Sequence, residues 1–188
     1  VLDTNLKANF FLTQRVAKLM MAQRPVDGAR GFIINYGSLN SYVVATDRVE
    51  YCASKAGIAM LTRVFARRLA SEQIYVYEVR PGVIDTPMTS VVHEKYTRMI
   101  EQEDAFPIAR WGQPSDVALA ISALVSGKFR YSTGEVINVD GGFHLRERGR
   151  RAHDVGNAVA VEIEARDRAV GDVALRIAQD AADVELAA

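Results

Sequence analysis

Three short apolar runs, each closed by glycine or proline, constrain the fold of this chain more than any other feature. The first is Gly31-Phe32-Ile33-Ile34-Asn35-Tyr36-Gly37-Ser38. The second spans Ile74 to Arg80 and stops at Pro81-Gly82, and the third runs from Glu135 to Val139 before Asp140-Gly141-Gly142. Runs of this kind read as buried strands. Between the first two, the pattern predicts a helix from about Tyr51 to Ser71. Its apolar residues, among them Ala53, Ile58, Met60, Val64 and Leu69, cover more than one face, so it is expected to be buried on most sides. Before the third run, Ser115 in Pro114-Ser115-Asp116-Val117 is expected to cap a helix through Val125. Upstream, residues 4–23 carry Leu6, Phe10, Val16, Leu19 and Met20 near helical spacing. Residues 87–103 read as a polar helix or lid. A helix at each crossover implies parallel strands joined by right-handed connections. The expected class is therefore α/β, built on a parallel sheet. Ligands of such sheets bind beyond the carboxyl ends of the strands, where Ser38 and Pro81-Gly82 fall.

Composition narrows the function. At 188 residues the chain fits one domain with a real core. Lys and Arg number 23 and Asp and Glu 23, so no nucleic-acid partner is expected. No apolar run approaches the ~18–20 residues of a membrane span, and no signal peptide is visible, so no membrane partner is expected. The single cysteine, Cys52, excludes an internal disulfide and suits a cytoplasmic location. His93, His144 and His153 lie far apart in sequence, so no metal site is expected. The chain opens at Val1 as though in the middle of a domain, and the expectation is a fragment. The domain is placed at residues 1–145. From Arg146 onward lysines and aromatics vanish, leaving a tail over 146–188. A solvated tail, a docked amphipathic helix and a foreign sequence all stay open for it.

Tyr51 and Lys55 sit one helical turn apart and share a face. An ammonium beside a phenol favours the phenolate, which suits proton exchange near neutral pH. Taken alone, the pair is weak evidence and reads first as a surface helix pair. Ser38 adds to it. It follows a buried strand, where its hydroxyl can bond a substrate oxygen that also meets the tyrosine. Gly37-Ser38-Leu39-Asn40-Ser41 also fits plain turn chemistry. Cys52 reads as a packing residue, Glu78 and Arg80 as a same-face surface pair, and Arg67-Arg68 as a solvated helix end.

With Gly37-Ser38 followed by Tyr51-Cys52-Ala53-Ser54-Lys55-Ala56-Gly57, the chain resembles the short-chain dehydrogenase/reductase family in its compact branch. Asn5-Leu6-Lys7 with Phe10-Phe11 resembles the family helix that carries the active-site asparagine. Pro81-Gly82-Val83-Ile84-Asp85-Thr86 resembles the segment that meets the nicotinamide. The stretch from Arg110 to Ala118, and that from Thr133 to Gly142, are similar to two further family blocks.

The resemblance implies a Rossmann-like fold and an NAD or NADP cofactor. It also implies a small carbonyl or alcohol substrate and a homodimer or homotetramer built on the helices at 4–23 and 51–71. The type it resembles is the 3-oxoacyl-acyl-carrier-protein reductase, a type that grades into sugar and polyol dehydrogenases. Catalytic roles would fall to Asn5, Ser38, Tyr51 and Lys55. Cofactor contacts would come from Tyr51, Lys55, Pro81, Gly82, Ile84 and Thr86. Thr86 before Pro87 also suits a helix cap, and Asn5 a helix start. The family opens with a strand and a Gly-rich turn that cradles the pyrophosphate. The chain carries no such sequence, so only the C-terminal strands and helices of the sheet are expected, with an exposed edge on the first strand. An alternative reading is a non-catalytic relative that acts as an oligomerising fragment.

Overall fold

A computed structural model describes residues 1–103 and 105–145. The expectations for residues 146–188 lie outside the described residues. Strands β1 (Gly31–Tyr36), β2 (Ile74–Pro81) and β3 (Val136–Val139) form one sheet in the order β1-β2-β3. Both pairings are parallel, with Ile33 opposite Val76 and Val79 opposite Ile137. The helices are α1 (Ala8–Met21), α2 (Val49–Leu69), α3 (His93–Glu101) and α4 (Pro114–Val125). Helix α2 makes the crossover from β1 to β2, and α4 the crossover from β2 to β3.

The two crossovers cover opposite faces, because β2 alternates its side chains between them. Ile74 and Val76 pack with Ala17 of α1 and with Phe65, Ala66 and Leu69 of α2. Tyr77 and Val79 pack with Val117 and Leu124 of α4. These four β2 side chains are fully buried, each contributing about 1.5–3 kcal/mol of hydrophobic stabilisation. A third cluster holds the lid: Met99 and Ile100 of α3 with Ala105 and Phe106. The result is the Rossmann-like doubly wound arrangement, carrying part of that fold. Among the described residues, β1 has a partner on one side only.

Four expectations are corrected in detail. The helix placed at 4–23 is two pieces, a π turn over Asp3–Lys7 and then α1. The helix placed at 51–71 opens earlier, at Val49, and is not buried on most sides: Met60 is 55% and Val64 52% exposed. Its buried residues, Ser54, Ile58, Ala59, Thr62, Phe65, Ala66 and Leu69, make one face. Arg67 and Arg68 are exposed, as expected of a solvated helix end.

Ser115 is not the cap of α4. Gln113 takes that place, with Pro114 at the first helical position, where its lack of an N–H costs nothing. Asp116 reaches back to accept from the Gln113 N–H at 2.7 Å. Nor are Glu78 and Arg80 a surface pair. They share a face of β2, but it is the central strand and α2 roofs that face. Glu78 is fully buried and Arg80 nearly so, with Nε donating to Oε1 at 2.6 Å.

The start of α4 gives a pH prediction. Arg110 donates twice to Asp116, at 2.7 and 2.9 Å. These bonds and that from Gln113 hold the Asp116 carboxyl down at about 2, against an ordinary 3.8. A depressed carboxyl stabilises the fold above its ordinary value, and this is lost as pH falls through the folded value. Melting curves of wild type and Asp116→Asn are therefore expected to separate above about pH 4 and to converge near about pH 2.

Candidate active site

Ser38 follows the end of β1 in an extended conformation and is buried. Its Oγ accepts from the Asn40 N–H at 3.2 Å. The Ser38 carbonyl accepts from the Ser41 hydroxyl at 2.6 Å and from the Ser41 N–H at 3.0 Å. The turn chemistry read from the sequence is thus present. It uses a lone pair of the Ser38 hydroxyl, and the O–H donor is separate from it.

Tyr51 and Lys55 lie in the first turns of α2, as their spacing predicts. Lys55 Nζ is 5.6 Å from the centroid of the Tyr51 ring and donates to the Tyr36 carbonyl at 2.8 Å. That carbonyl stands two residues before Ser38, so the bond ties the lysine to the strand end that carries the serine. Burial pushes the Lys55 ammonium below its ordinary 10.5, and the Glu78 carboxylate pulls in the opposite direction.

Asn5 sits in the π turn, and its Nδ2 donates to Ser54 Oγ at 3.1 Å. Ser54 is fully buried and donates in turn to the Tyr51 carbonyl at 2.7 Å. Asn5 is therefore bound to the turn that carries Tyr51 and Lys55. Sequence reasoning missed two parts of this: the role of Ser54 as the link, and the π turn. Single π turns occur frequently at functional sites. The signal for Ser54 was its place between the two candidate residues of α2, on the inner face.

The segment after β2 is held on both sides. Gly82 N–H donates to the Val139 carbonyl at 2.9 Å, and Asp85 N–H to the Gly112 carbonyl at 2.8 Å. Thr86 caps the turn Pro87–Val92, and its N–H donates to Thr89 Oγ1 at 3.0 Å. Thr89 also donates to the Ile84 carbonyl at 2.8 Å. The structure thus gives Thr86 the helix-cap geometry that its place before Pro87 suggested. A cleft of about 370 Å³ opens beside this segment, lined by Val83, Ile84, Phe106, Ile108, Asp140 and His144 among others. Ser38, Tyr51 and Lys55 do not line it. The structure thus joins Asn5, Ser38, Tyr51 and Lys55 around the end of β1 and the start of α2, and places Pro81 to Thr86 at the end of the neighbouring strand. Cys52 Sγ rests 3.8 Å from the Ala45 carbonyl, as a packing residue would.

A parallel sheet with helices on both faces defines a class, the Rossmann-like α/β proteins. Comparison with known proteins narrows it. A family model described as enoyl-(acyl carrier protein) reductase matches residues 1–144. The chain belongs to the short-chain dehydrogenase/reductase family, and it is 3-oxoacyl-acyl-carrier-protein reductase-like. The reductase of that name from Rickettsia felis is 39% identical over 142 residues, which is 76% of this chain and 56% of the relative. The chain thus spans a little over half the length of the curated relative it matches. A crystal structure of the reductase of that name from Brucella melitensis, in complex with NAD, superposes with a TM-score of 0.74 at 39% identity. It covers 78% of this chain and 57% of that one. A gluconate 5-dehydrogenase from Burkholderia cenocepacia, in complex with NADP and tartrate, gives 0.70 at 26% identity, covering 78% and 56%.

No group of three or more metal-ligating side chains occurs among the described residues. None of the described helices is long and apolar enough to cross a membrane.

Proposed function

We propose that this chain forms the catalytic part of an NAD(P)-dependent oxidoreductase that interconverts a ketone and a secondary alcohol. The observation that carries the reading is the tie between the site's parts. Lys55 is bonded to the strand end beside Ser38, and Asn5 is bonded to the turn of Tyr51. A nicotinamide dinucleotide would supply or accept the hydride. The chain's own donors suit its ribose: an ammonium has three hydrogens, and Lys55 spends one on the Tyr36 carbonyl. Pro81, Gly82, Ile84 and Thr86 would orient the carboxamide.

In this reading Tyr51 gives its proton to the carbonyl oxygen, or takes it in the reverse direction. Ser38 donates to the same oxygen, where negative charge develops. Lys55, 5.6 Å from the centroid of the Tyr51 ring, would hold the ribose hydroxyls beside the tyrosine. Asn5 holds the helix turn and, through water, a path for protons between Lys55 and solvent. The substrate class supported by the relatives is a 3-oxoacyl thioester or a sugar or polyol. A cytoplasmic setting suits such a reaction.

The exposed apolar residues of α1 and α2 support a homodimer or homotetramer. Phe11, Leu12 and Leu19 are exposed on one helix, and Met60 and Val64 on the other. The same residues favour the second reading, an oligomerising fragment without turnover. Fluorescence titration of NADH and NADPH with the chain separates the two. Saturable binding is expected, weakened about tenfold by Lys55→Ala through loss of charge-assisted hydrogen bonds. A folded chain that binds neither dinucleotide would overturn the oxidoreductase reading for this chain and leave the oligomerising one.

A further inference from the structure

A buried glutamate beneath the site has no part in the chemistry above. Glu78 is fully buried on β2, opposite Asn35 of β1. Its carboxylate is gripped by Arg80, Nε to Oε1 at 2.6 Å and Nη2 to Oε2 at 3.2 Å. Burying two charges costs desolvation, and apolar replacements of such pairs are often neutral or stabilising. Stability alone therefore does not account for the pair, and its orientation does. At one end, a Cβ at Gly37 would fall on the Glu78 carboxylate, within 2.7 Å of its Cδ. The carboxylate thus packs directly against the residue between Tyr36 and Ser38. At the other end, the Arg80 guanidinium lies 5.2 Å from the centroid of the Tyr42 ring, in the loop that follows Ser38. The pair is a fixed dipole along the strand, its negative end under the turn that receives Lys55.

We propose that Glu78 is a positioning residue of this site, the floor under Tyr36-Gly37-Ser38 and the buried counter-charge of Lys55, with Arg80 as its clamp. The proposal rests on reading Lys55 as a site residue. A half-buried ammonium loses hydration, and an anion fixed beneath its carbonyl acceptor restores the balance toward the charged form. Burial and the Glu78 carboxylate act on Lys55 in these opposite senses. The other titratable or charged groups around Lys55 do not duplicate the role. Tyr51 lies on its own helix, and Tyr42 stacks on Arg80. On the π turn against α2, Asp3 pairs with Lys7 at 3.3 Å on the surface.

The test reads the charge on Lys55 rather than turnover, so a chain without cofactor affinity still decides it. Lys55 in the full chain is labelled with acetic anhydride across a pH series and quantified by peptide mass spectrometry, with exposed Lys18 as reference. Glu78→Gln strands Arg80 without its counter-charge and risks unfolding. The deciding variant is therefore Glu78→Gln/Arg80→Gln, which removes both charges and keeps two hydrogen-bonding amides.

Its melting curve establishes that it is folded. The labelling profile of Lys55 is then expected to move to lower pH, with about threefold or greater labelling relative to Lys18 near about pH 8. Arg80→Lys, which keeps the carboxylate and a cation beside it, is expected to retain the wild-type profile. A folded double variant with the wild-type Lys55 profile would overturn the proposal. So would a uniform rise in labelling at every pH without displacement of the midpoint, because that reports a loosened structure and not a lost counter-charge.

Discussion

Replacing Tyr51 with phenylalanine is expected to lower kcat for ketone reduction by about a thousandfold, while the dinucleotide affinity stays within about threefold. The change removes one hydroxyl from a partly buried ring and nothing else. Among the described residues the Tyr51 hydroxyl makes no hydrogen bond, whereas the Tyr51 carbonyl is bonded to Ser54 at 2.7 Å and is untouched by the substitution. The start of α2 and the Lys55 bond to Tyr36 should therefore survive, with stability changed by less than about 0.5 kcal/mol. Under the proposed function, what disappears is the proton that would reach the alkoxide as hydride arrives. Positioned proton transfer contributes about a hundredfold to ten-thousandfold, so its loss should appear in kcat rather than in binding. The measurement is steady-state kinetics with NADH and NADPH, in the preparation in which the wild-type chain turns over, with melting curves alongside. A variant that keeps more than about a tenth of the wild-type kcat would remove Tyr51 from the role of acid and base.

The parts legible in sequence and those that were not differ in what fixes them. The three strands are legible because glycine and proline end them and because they are mostly apolar, as both faces of a doubly wound sheet require. Ser38, Tyr51 and Lys55 are legible because each sits at a fixed distance from such an end or on one helical face. Glu78 and Arg80 show the limit. Alternation places them on one face of β2, but their burial depends on α2 lying over that face and on β1 and β3 flanking the strand. No local pattern carries that information, and two charged residues in a strand read by default as solvated.

The exposure of Met60 and Val64 is the reverse case. Apolar identity predicts a covered surface, and the described residues leave Met60 and Val64 exposed. The π turn at Asn5 leaves no trace in residue type, since it consists of a shifted hydrogen bond, from the Ala8 N–H to the Asp3 carbonyl five residues back. At α4, Pro114 and Ser115 both carry helix-start signals. The reach of Asp116 back to Gln113 settles which residue caps.

Gly82→Ala is expected to be among the most damaging single substitutions in the chain, and Gly31→Ala nearly harmless, although both glycines border strands and both look crowded. A Cβ at Gly31 would stand 2.5 Å from Met20 Sδ. That atom is near the free end of a flexible side chain on α1, which can swing aside, and alanine in a strand recovers about 0.5–1 kcal/mol of backbone entropy. A Cβ at Gly82 would instead stand 2.6 Å from the Cα and 2.6 Å from the Cβ of Asp140. Neither atom can move alone. Gly82 N–H is bonded to the Val139 carbonyl at 2.9 Å, which locks β2 to the end of β3. The Asp140 carboxylate is committed as well. It accepts from the Gly142 N–H at 3.1 Å and the His144 N–H at 3.0 Å, and lies 2.8 Å from His144 Nδ1. Relief of the overlap must therefore part the strands or dismantle the Asp140 turn.

Overpacking against backbone of this kind costs about 3 kcal/mol, and the melting temperature should fall by about 10 °C. Gly31→Ala should shift it by less than about 3 °C. Because Pro81 and Gly82 are themselves among the proposed carboxamide contacts, dinucleotide binding should weaken in Gly82→Ala even below its melting temperature. Thermal melting of the two variants beside wild type decides the matter. Equal losses would mean that the β2–β3 junction yields as easily as a methionine side chain, and that the close fit of Gly82 against Asp140 does not hold the end of the sheet in place.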